Sequence, residues 1–331
     1  MNIRIASSIA AALALAISSA ATADITGDAD NYNVFIFGTG SFTSQDTDTM
    51  GNLAAGGNVT LTSYQVAQGI HGTTPTPQTP NAARLVVGGL LTSNNGGQVG
   101  MGGTGSIYTN QTPVMNNGGF TSAGVLPLSQ SGISSFSADA TQYTNLSSSL
   151  GGLAANGATS TSNGGGTLSL TGTAAGLNVF SVSASTLAGA NTVDISAPTG
   201  ATVLIDVSGT SATLPSGMVF FANGASASKV LYNFYQATSV ALTSSNPDGS
   251  ILAPLAGVTG TFGQMNGQLI AGSYSGETQF DATPFTGSLA PVPLPAPVWL
   301  LCSALLAGLF TVKRRQPLPA MHHSRPAPFL A

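Results

Sequence analysis

Two aspartates lie where a pair of carboxylates could do acid–base chemistry. Asp194 stands in VDI and Asp206 in IDV, and their apolar neighbours predict that both side chains point away from the core face of a strand. Two carboxylates at the right separation can hydrolyse a glycosidic bond. Arg84 and Lys229 are the only cations between residues 24 and 290 that could assist them. We expect no enzymatic activity, with a carbohydrate-active enzyme as an alternative.

Four other aspartates could bind a cation. Asp28 and Asp30 form a D-A-D pair, and Asp46 and Asp48 form a D-T-D pair close to glycines. Carboxylates together with loop carbonyls are the ligands that Ca²⁺ prefers. Aspartate is also common in turns because its side chain accepts hydrogen bonds from nearby backbone amides, and the chain has no EF-hand loop. These four residues are therefore weak calcium candidates, and we expect neither a metal nor a cofactor.

Two further motifs are too weak to predict a site. His71 is the only histidine between residues 24 and 290, and the one cysteine, Cys302, lies outside that interval, so neither a zinc site nor a cysteine–histidine pair can form there. The string GMGGTG at 100–105 fits the dinucleotide fingerprint. We expect no strand before it and no helix after it, and with 42 glycines in the chain a chance match is expected.

The charge of the chain excludes one class of partner. Charged residues make up 5% of the sequence, and all eleven Asp and Glu residues lie between 24 and 290. Only Arg84 and Lys229 oppose them there, so this body carries a net charge of −9. Binding to nucleic acid depends on several Lys or Arg side chains at the phosphates. The composition therefore argues against a nucleic-acid partner.

The elements that must position these residues are mostly short strands. Stretches such as GTLSLTG, LNVFSVS and TVLIDVSG alternate apolar residues with Ser, Thr or Asp between Gly and Asn turns, a pattern typical of a sandwich, a barrel or a β-solenoid. One segment has helical periodicity instead. Its apolar positions predict a packed α-helix over about 135–150, and they are Phe136, Ala140, Tyr143, Leu146 and Leu150.

The first residues are typical of a secretory signal peptide. Arg4 precedes a long apolar run, and Ala21 and Ala23 provide a small-x-small cleavage motif directly before Asp24. We therefore expect residues 1–23 to be a signal peptide and the body of the protein to be exported.

The opposite end carries a second apolar segment with a basic end. Alternating prolines precede a run, 298–312, that predicts a transmembrane helix, and the cations after it favour a cytoplasmic tail over 316–331. The signal comprises Val292, Pro293, Leu294, Pro295 and Ala296, then Trp299 as an interfacial anchor, and finally Lys313, Arg314 and Arg315.

This segment, 291–315, resembles the PEP-CTERM protein-sorting signal of Gram-negative bacteria. The resemblance implies a transient partner, exosortase, which removes the signal at the inner membrane. It also implies that the product reaches the cell surface or the extracellular polysaccharide matrix. Leu294 stands where the family usually has a glutamate.

The body between these ends resembles the choice-of-anchor A family of bacterial surface proteins. The similarity spans 28–287 and is densest in YNVFIFG, GNLAAGGNVTL and ILAPLAGVTGTFGQMNGQLIAGSYSGETQF. It implies that 24–290 is an adhesive domain folded as an irregular right-handed parallel β-helix, a β-solenoid, with the helix packed on it. The chain is thereby interpreted as a cell-surface adhesin or a structural component of biofilm or flocs, with extracellular polysaccharide as a partner.

A third function is suggested by threonines on strands. TLSLTGT at 167–173 would place threonine side chains on one side of a strand, as an ice-binding surface would require. The spacing of such stretches along the chain is irregular, so ice binding is the weaker alternative.

Overall fold

A computed structural model describes Ile25 and residues 27–69, 83–214 and 217–289. The predicted signal peptide 1–23 with Asp24, His71, and the predicted sorting signal and tail from 291 onward lie outside the described residues. Among the residues that are described, no helix is long and apolar enough to cross a membrane.

The described body is built mainly from short strands. Two helices accompany them, α1 (Phe136–Leu150) and α2 (Ala184–Gly189). The strands are β1 (Val34–Ile36), β2 (Phe42–Gln45), β3 (Asp48–Thr49), β4 (Leu53–Ala55), β5 (Val59–Val66), β6 (Leu85–Val87), β7 (Leu91–Val99), β8 (Ser106–Thr109), β9 (Val114–Asn116), β10 (Gly124–Leu126), β11 (Ala158–Ser162), β12 (Thr167–Thr171), β13 (Leu177–Ser183), β14 (Thr192–Ser196), β15 (Thr202–Ser208), β16 (Ser211–Leu214), β17 (Met218–Ala222), β18 (Val230–Asn233), β19 (Ser239–Thr243), β20 (Ser250–Thr261), β21 (Gln264–Asn266), β22 (Leu269–Gly276) and β23 (Gln279–Asp281).

These strands stack as coils with three sides. Face A is the ladder β13-β15-β18-β20-β22-β1-β4-β6-β8-β10. Face B is the ladder β16-β19-β20-β22-β2-β5-β7-β9, in which β20 and β22 contribute their second halves. The third side carries the ladder β21-β23-β3-β5-β7 and a separate small sheet, β11-β12-β14-β17. Pairing is parallel except between β11 and β12, which agrees with the predicted β-solenoid.

The order of the coils differs from their order in the chain. β1 pairs with β22 on one side and with β4 on the other, so Val34 has both Leu269 and Leu53 as Cα partners. The amino-terminal strand therefore docks onto one of the last strands. We call the junction of β1 and β2 with β22 the seam. It joins the two halves of the chain into one continuous stack.

Successive side chains on each strand point alternately inward and outward, and the inward-facing ones form the core. Inward-facing Phe42 is fully buried and stacks on Tyr274 with ring centroids 5.0 Å apart. Tyr274 in turn meets Phe280 edge-on at 5.1 Å. Fully burying a large apolar side chain is worth about 1.5–3 kcal/mol. This aromatic cluster lies across the seam and therefore contributes strongly to holding the two halves together.

Helix α1 covers the outer surface of face A. Its start is capped by Ser135, whose Oγ accepts a hydrogen bond from the Ala138 N–H at 3.2 Å. Phe136 and Tyr143 pack on Phe35, with centroids 5.7 and 5.9 Å away, and the Tyr143 hydroxyl accepts from the Ala29 N–H at 3.0 Å. The predicted helix over about 135–150 is confirmed. The short helix α2 was not predicted.

A column of unusual backbone conformations forms the corner that follows face B. At this corner six of the face B strands have a left-handed residue with φ between 46° and 57°, either directly after the strand or, in β5 and β7, within it. Asn and Asp tolerate this conformation because their short polar side chains bond locally, whereas a bulky side chain does not. We call these residues the corner column, and they are Asp46, Ser63, Asn95, Asn117, Ser244 and Phe262.

One predicted loop is a strand. No strand is expected before GMGGTG, but residues 94–99 form the second half of β7 and pair with β5. Amide side chains support this pairing, since Gln98 donates to Gln65 at 3.1 Å. A strand therefore does precede the GMGGTG string, but the string itself contains a short 3-10 turn, Met101–Gly103, and β8 rather than an α-helix follows it. The string is not a dinucleotide-binding motif.

Candidate ligand-binding face

Face B carries one row of side chains in register, and six of its eight positions have a hydroxyl group. The central outward position of each of its strands aligns with the next across parallel pairs. With strands about 4.8 Å apart, the eight positions extend over roughly 34 Å. We call them the threonine row, and they are Thr213, Ala241, Thr259, Ser275, Thr43, Thr60, Thr92 and Val114.

The hydroxyl groups of this row are available to a ligand. Thr43, Thr259 and Ser275 are exposed, and the other threonines of the row are half-buried. Within the described residues, the threonine hydroxyls of the row form no hydrogen bond, whereas the neighbouring inward residues pack into the core. Threonine is branched at Cβ and has restricted χ1 on a strand. The row is therefore a preordered array of methyl and hydroxyl groups.

A second row beside it is stiffened by hydrogen bonds between side chains. Asn116 donates to Asn94 at 2.9 Å, and Asn94 donates to Thr62 at 3.3 Å. Across the seam, Gln45 donates to Glu277 at 2.7 Å. These contacts run from coil to coil along the edge of face B. They hold that edge in one conformation next to the threonine row.

The two cations of the body lie elsewhere. Arg84 donates from Nη1 to the Asn52 side chain at 3.1 Å, and Lys229 donates from Nζ to the Thr286 carbonyl oxygen. Both contacts are on the side of face A. The face B strands contain no charged residue within the described part of the chain, and Asp46 and Glu277 directly follow β2 and β22 at the edge of the face, so this surface suits an uncharged ligand.

The two carboxylates predicted as a catalytic pair do not meet. Asp194 lies on the outer side of the small sheet, where β14 pairs it with Ser169 and Phe220. Asp206 lies on face A and is only 3% exposed, under helix α1. Both point away from the core face as predicted, but they belong to different sheets and share no groove. The arrangement does not support the carboxylate-pair enzyme.

Asp206 has a structural environment instead. Its Oδ1 accepts from Asn233 Nδ2 at 2.7 Å, and the same Nδ2 donates to the Ser147 carbonyl oxygen of α1 at 2.9 Å. The other oxygen, Oδ2, is buried without a partner. Burial raises the pKa of Asp206 to about 7, although the hydrogen bond from Asn233 lowers it. Burial, and secondarily Asp28, also raises the pKa of Asp139 of α1 to about 6.

The four calcium candidates lie in three settings. Asp28 Oδ2 accepts from the Ser134 N–H at 2.8 Å, and Asp30 shares its 3-10 turn, Asp28–Asn31. Asp46 belongs to the corner column. Asp48 lies on β3, where burial and then Asp281 raise its pKa. In the part of the chain that the structure describes, no three His, Cys, Asp or Glu residues are grouped to hold a metal ion. Calcium binding stays a prediction.

The threonine row was missed because sequence order hides it. Its strands contain T-x-T or S-x-T patterns such as VTLT and GVTGT, but unequal loops separate them along the chain. The spacing along the chain is irregular, as the sequence indicates, but strand register aligns these residues in the folded protein. TLSLTGT, the stretch that suggested ice binding, lies on β12 of the small sheet and outside the row.

A family model described as "Putative Ice-binding-like adhesive domain" matches residues 25–282. Similar solved structures include an ice-binding protein from the Antarctic ascomycete Antarctomyces psychrotrophicus, with 16% identity, a TM-score of 0.36, and coverage of 63% of this chain and 96% of that one. An ice-binding protein from an Antarctic biological consortium has 14% identity, a TM-score of 0.35, and coverage of 80% and 90%. One from an Antarctic Flavobacteriaceae bacterium has 12% identity, a TM-score of 0.28, and coverage of 77% and 81%. A comparison with curated proteins found no match.

Proposed function

This chain belongs to the ice-binding-like adhesive domain family, and from that membership we propose that it is a non-enzymatic adhesive protein of the cell surface whose threonine row binds an extended, repeating, uncharged ligand. The observation that carries the proposal is the in-register row of unbonded hydroxyl groups on face B.

A repeating ligand fits this row because the row itself repeats. Five of its eight strands present the same pair of groups, a methyl and a hydroxyl, and neighbouring strands are about 4.8 Å apart. A single contact of this kind is weak, but neighbouring contacts on a rigid surface add without further ordering of the protein. None of the eight positions of the row is Lys or Arg, which favours a neutral polymer or crystal over an anionic one.

Two ligands meet this description, extracellular polysaccharide and ice. Polysaccharide offers repeating hydroxyl groups and suits an adhesin in biofilm or flocs. Ice is favoured by one specific feature, the regular repetition of a methyl beside an unbonded hydroxyl at the five threonines of the row. We retain ice binding as the second candidate.

Export and sorting complete the proposal. Residues 1–23 would direct export, and the signal 291–315 would be processed by exosortase at the inner membrane of a Gram-negative bacterium. Support comes from the sequence at the two ends, the basic residue, apolar run and small-x-small motif before Asp24 and the proline-spaced apolar run that ends in Lys313, Arg314 and Arg315.

The experiment compares row variants with a matched control in the exported protein. Thr60→Lys and Thr259→Lys place a cation in each half of the row, and Thr171→Lys places one on the exposed outer side of the small sheet. We expect both row variants to lose co-sedimentation with neutral polysaccharide, or ice-recrystallisation inhibition, by at least tenfold, and the control to retain it. Row variants that melt like the wild type and still bind both ligands would overturn the proposal.

A further inference from the structure

One end of the solenoid leaves its core uncovered. The last coil there consists of β9 on face B, residues 117–123 on the third side and β10 on face A. Each side contributes one apolar residue that faces the core, and we call these residues the open end: Met115, Phe120 and Val125. Met115 is 40% exposed and Val125 is 48% exposed, because within the described residues no further coil covers them. Their equivalents one coil deeper, Ser93 and Ile107, are fully buried.

The strand edges at this end are also free. β9 pairs with β7 and β10 pairs with β8, and in the part of the chain that the structure describes no strand pairs with their other sides. All three residues of β9 are exposed. A free edge presents backbone N–H and C=O groups that can pair with another strand. The open end therefore offers both apolar side chains and hydrogen-bonding groups.

The opposite end of the solenoid is closed in both respects. Helix α2 packs against β16 there, with Ala184 and Leu187 buried. The edge of β13 is blocked by Asn156, whose Oδ1 accepts from the Val179 N–H at 2.7 Å and whose backbone N–H donates to the Val179 carbonyl oxygen at 3.1 Å. Solenoid ends need such caps to stay soluble. Among the described residues a cap is present at one end only, so the other end is suited to docking.

The open end carries no charge. The stretch 85–138, which includes β6 to β10, contains no Asp, Glu, Lys or Arg, whereas the body as a whole has a net charge of −9. Two copies of so acidic a body repel each other, and the open ends can meet without placing like charges opposite each other. The exposed apolar residues of β17 differ, because Phe220 pairs with Asp194. The open end needs an uncharged, apolar partner with a free strand edge, and a second open end meets this description.

We propose that two copies of this protein dock through their open ends as a twofold-symmetric dimer, with β9 of one copy antiparallel to β9 of the other. A symmetric contact uses the same patch on both copies, and the assembly closes at two because the opposite ends are capped. Antiparallel pairing centred on Met115 brings the two Met115 side chains together. A twofold axis normal to face B exchanges the other two sides of the coil, so Val125 of each copy faces Phe120 of the other.

β9 suits this pairing better than β10. The chain that follows β10 turns at Leu128 and packs on the outside of face A, whereas every residue of β9 is exposed. Pairing through β9 also makes face B continuous across the dimer, so that both threonine rows lie on one surface. The value of that arrangement rests on the proposed function, whereas the dimer itself does not.

Sedimentation velocity of the exported protein, without any ligand, measures the association. The end of a single coil is smaller than a standard interface of about 800 Å² per partner, so we expect a reversible dimer at micromolar to millimolar concentration. Because the contact is end to end, small-angle scattering should give a maximum dimension nearly twice that of the monomer. A monomeric wild type, or a dimer that is not elongated, would overturn the proposal.

Charged variants test the contact residues. Met115→Lys and Val125→Lys each bury an unpaired cation in the dimer, so we expect at least tenfold weaker association from either variant. Met218→Lys, at an apolar position of β17 that is 63% exposed, is the matched control and should associate like the wild type. Lysine variants that melt like the wild type and still dimerise as tightly would contradict the assigned contact.

A cysteine variant tests the geometry without introducing charge, so it decides even if the lysine variants unfold. Met115→Cys in a Cys302→Ser background leaves one thiol in each chain. Directly opposite residues of an antiparallel pair are close enough for a disulfide, so mild oxidation should link two chains, whereas Met218→Cys in the same background should not link them. Failure of Met115→Cys to link the chains would overturn the proposal, and it is the result expected if a segment of the same chain covers the open end instead.

Discussion

The hydroxyl of Ser44 donates a 2.7 Å hydrogen bond to the carbonyl oxygen of Gly276, 232 residues along the chain. Beside this contact, Thr43 pairs with Ser275 and Phe42 with Tyr274. The seam between the two halves therefore lies in the middle of face B, and the threonine row crosses it. Stability of the seam and continuity of the candidate binding surface depend on the same strands.

The aromatic cluster at the seam should dominate its stability. Phe42→Ala removes a fully buried ring that stacks on Tyr274, and large-to-small changes of this kind cost about 3–5 kcal/mol. We expect a loss of that size in denaturant unfolding, with both halves unfolding together. Phe220→Ala, at a half-exposed position, is the control and should change the free energy of unfolding by less than about 0.5 kcal/mol. A Phe42→Ala loss as small as the control would contradict the assigned role.

Phe262 should be a site of easy stabilisation. It has φ of 53° and is 66% exposed, so a bulky side chain occupies the left-handed region with little packing in return. Replacing it with Asn, the residue at two other positions of the corner column, should stabilise the protein by about 0.5–1 kcal/mol. Leu255→Asn replaces another exposed apolar residue, 50% exposed, outside the left-handed region and should not stabilise. Thermal melting measures this: the melting temperature should rise in Phe262→Asn and not in Leu255→Asn.

Stability should fall as pH rises from 4 to 8. The pKa of Asp206 is about 7 in the folded protein, against an ordinary aspartate value of 3.8. Between pH 3.8 and pH 7 the unfolded chain has lost the proton that the folded protein retains. The free energy of unfolding therefore falls by about 1.4 kcal/mol at most for each pH unit in this range. The loss is complete above pH 7. Asp139, whose pKa is also raised, adds a smaller effect of the same sign.

Asp206→Asn provides the check on this pH dependence. The amide is uncharged at every pH, and its Oδ1 can still accept from Asn233. We expect the variant to be at least as stable as the wild type at pH 8 and to lose most of the slope in urea unfolding between pH 4 and 7. If the free energy of unfolding of the wild type does not change between pH 4 and 7, the raised pKa of Asp206 is wrong.

The sorting signal makes a prediction about location. Deleting residues 292–315 removes the proline-spaced lead-in, the apolar run and the cations, so exosortase would have no substrate. We expect the shortened protein in the periplasm or the medium, whereas the full chain reaches the surface or matrix. Fractionation with an antibody to the body measures this. The control is a variant in which only the tail, 316–331, is replaced, and it should be distributed like the full chain. An unchanged distribution of the deleted form would count against sorting by this segment.

Sequence patterns within a single helix or strand predicted those elements, whereas the pairing of distant strands could not be predicted. Helix α1 was predictable because Phe136, Tyr143 and Leu150 repeat with the helical period and Ser135 caps the start. The β character was predictable from alternation. The order of the coils was not, because parallel pairing joins Val34 to Leu269 without any nearby signal. The threonine row depends on that order, so it too was hidden.

Asp206 shows the same contrast at a single residue, because its orientation was predictable and its burial was not. Its apolar neighbours predicted that the carboxyl leaves the core face, and it does. They could not predict that α1 would cover that outer surface, since the helix begins about 70 residues earlier. A position expected to face solvent is therefore among the most buried acids of the described body. Packing of α1 on face A buries Asp206 and thereby raises its pKa.

The interleaved stack also governs when the protein can finish folding. A ribosome delivers β1 early, yet the partner strand that closes its free edge, β22, is among the last to arrive. Until then the amino-terminal coils carry an open template for pairing with any other strand. Folding cannot finish until nearly the whole body has been synthesised, so truncation before residue 276 would leave a partial solenoid with an unpaired strand edge rather than a smaller folded domain.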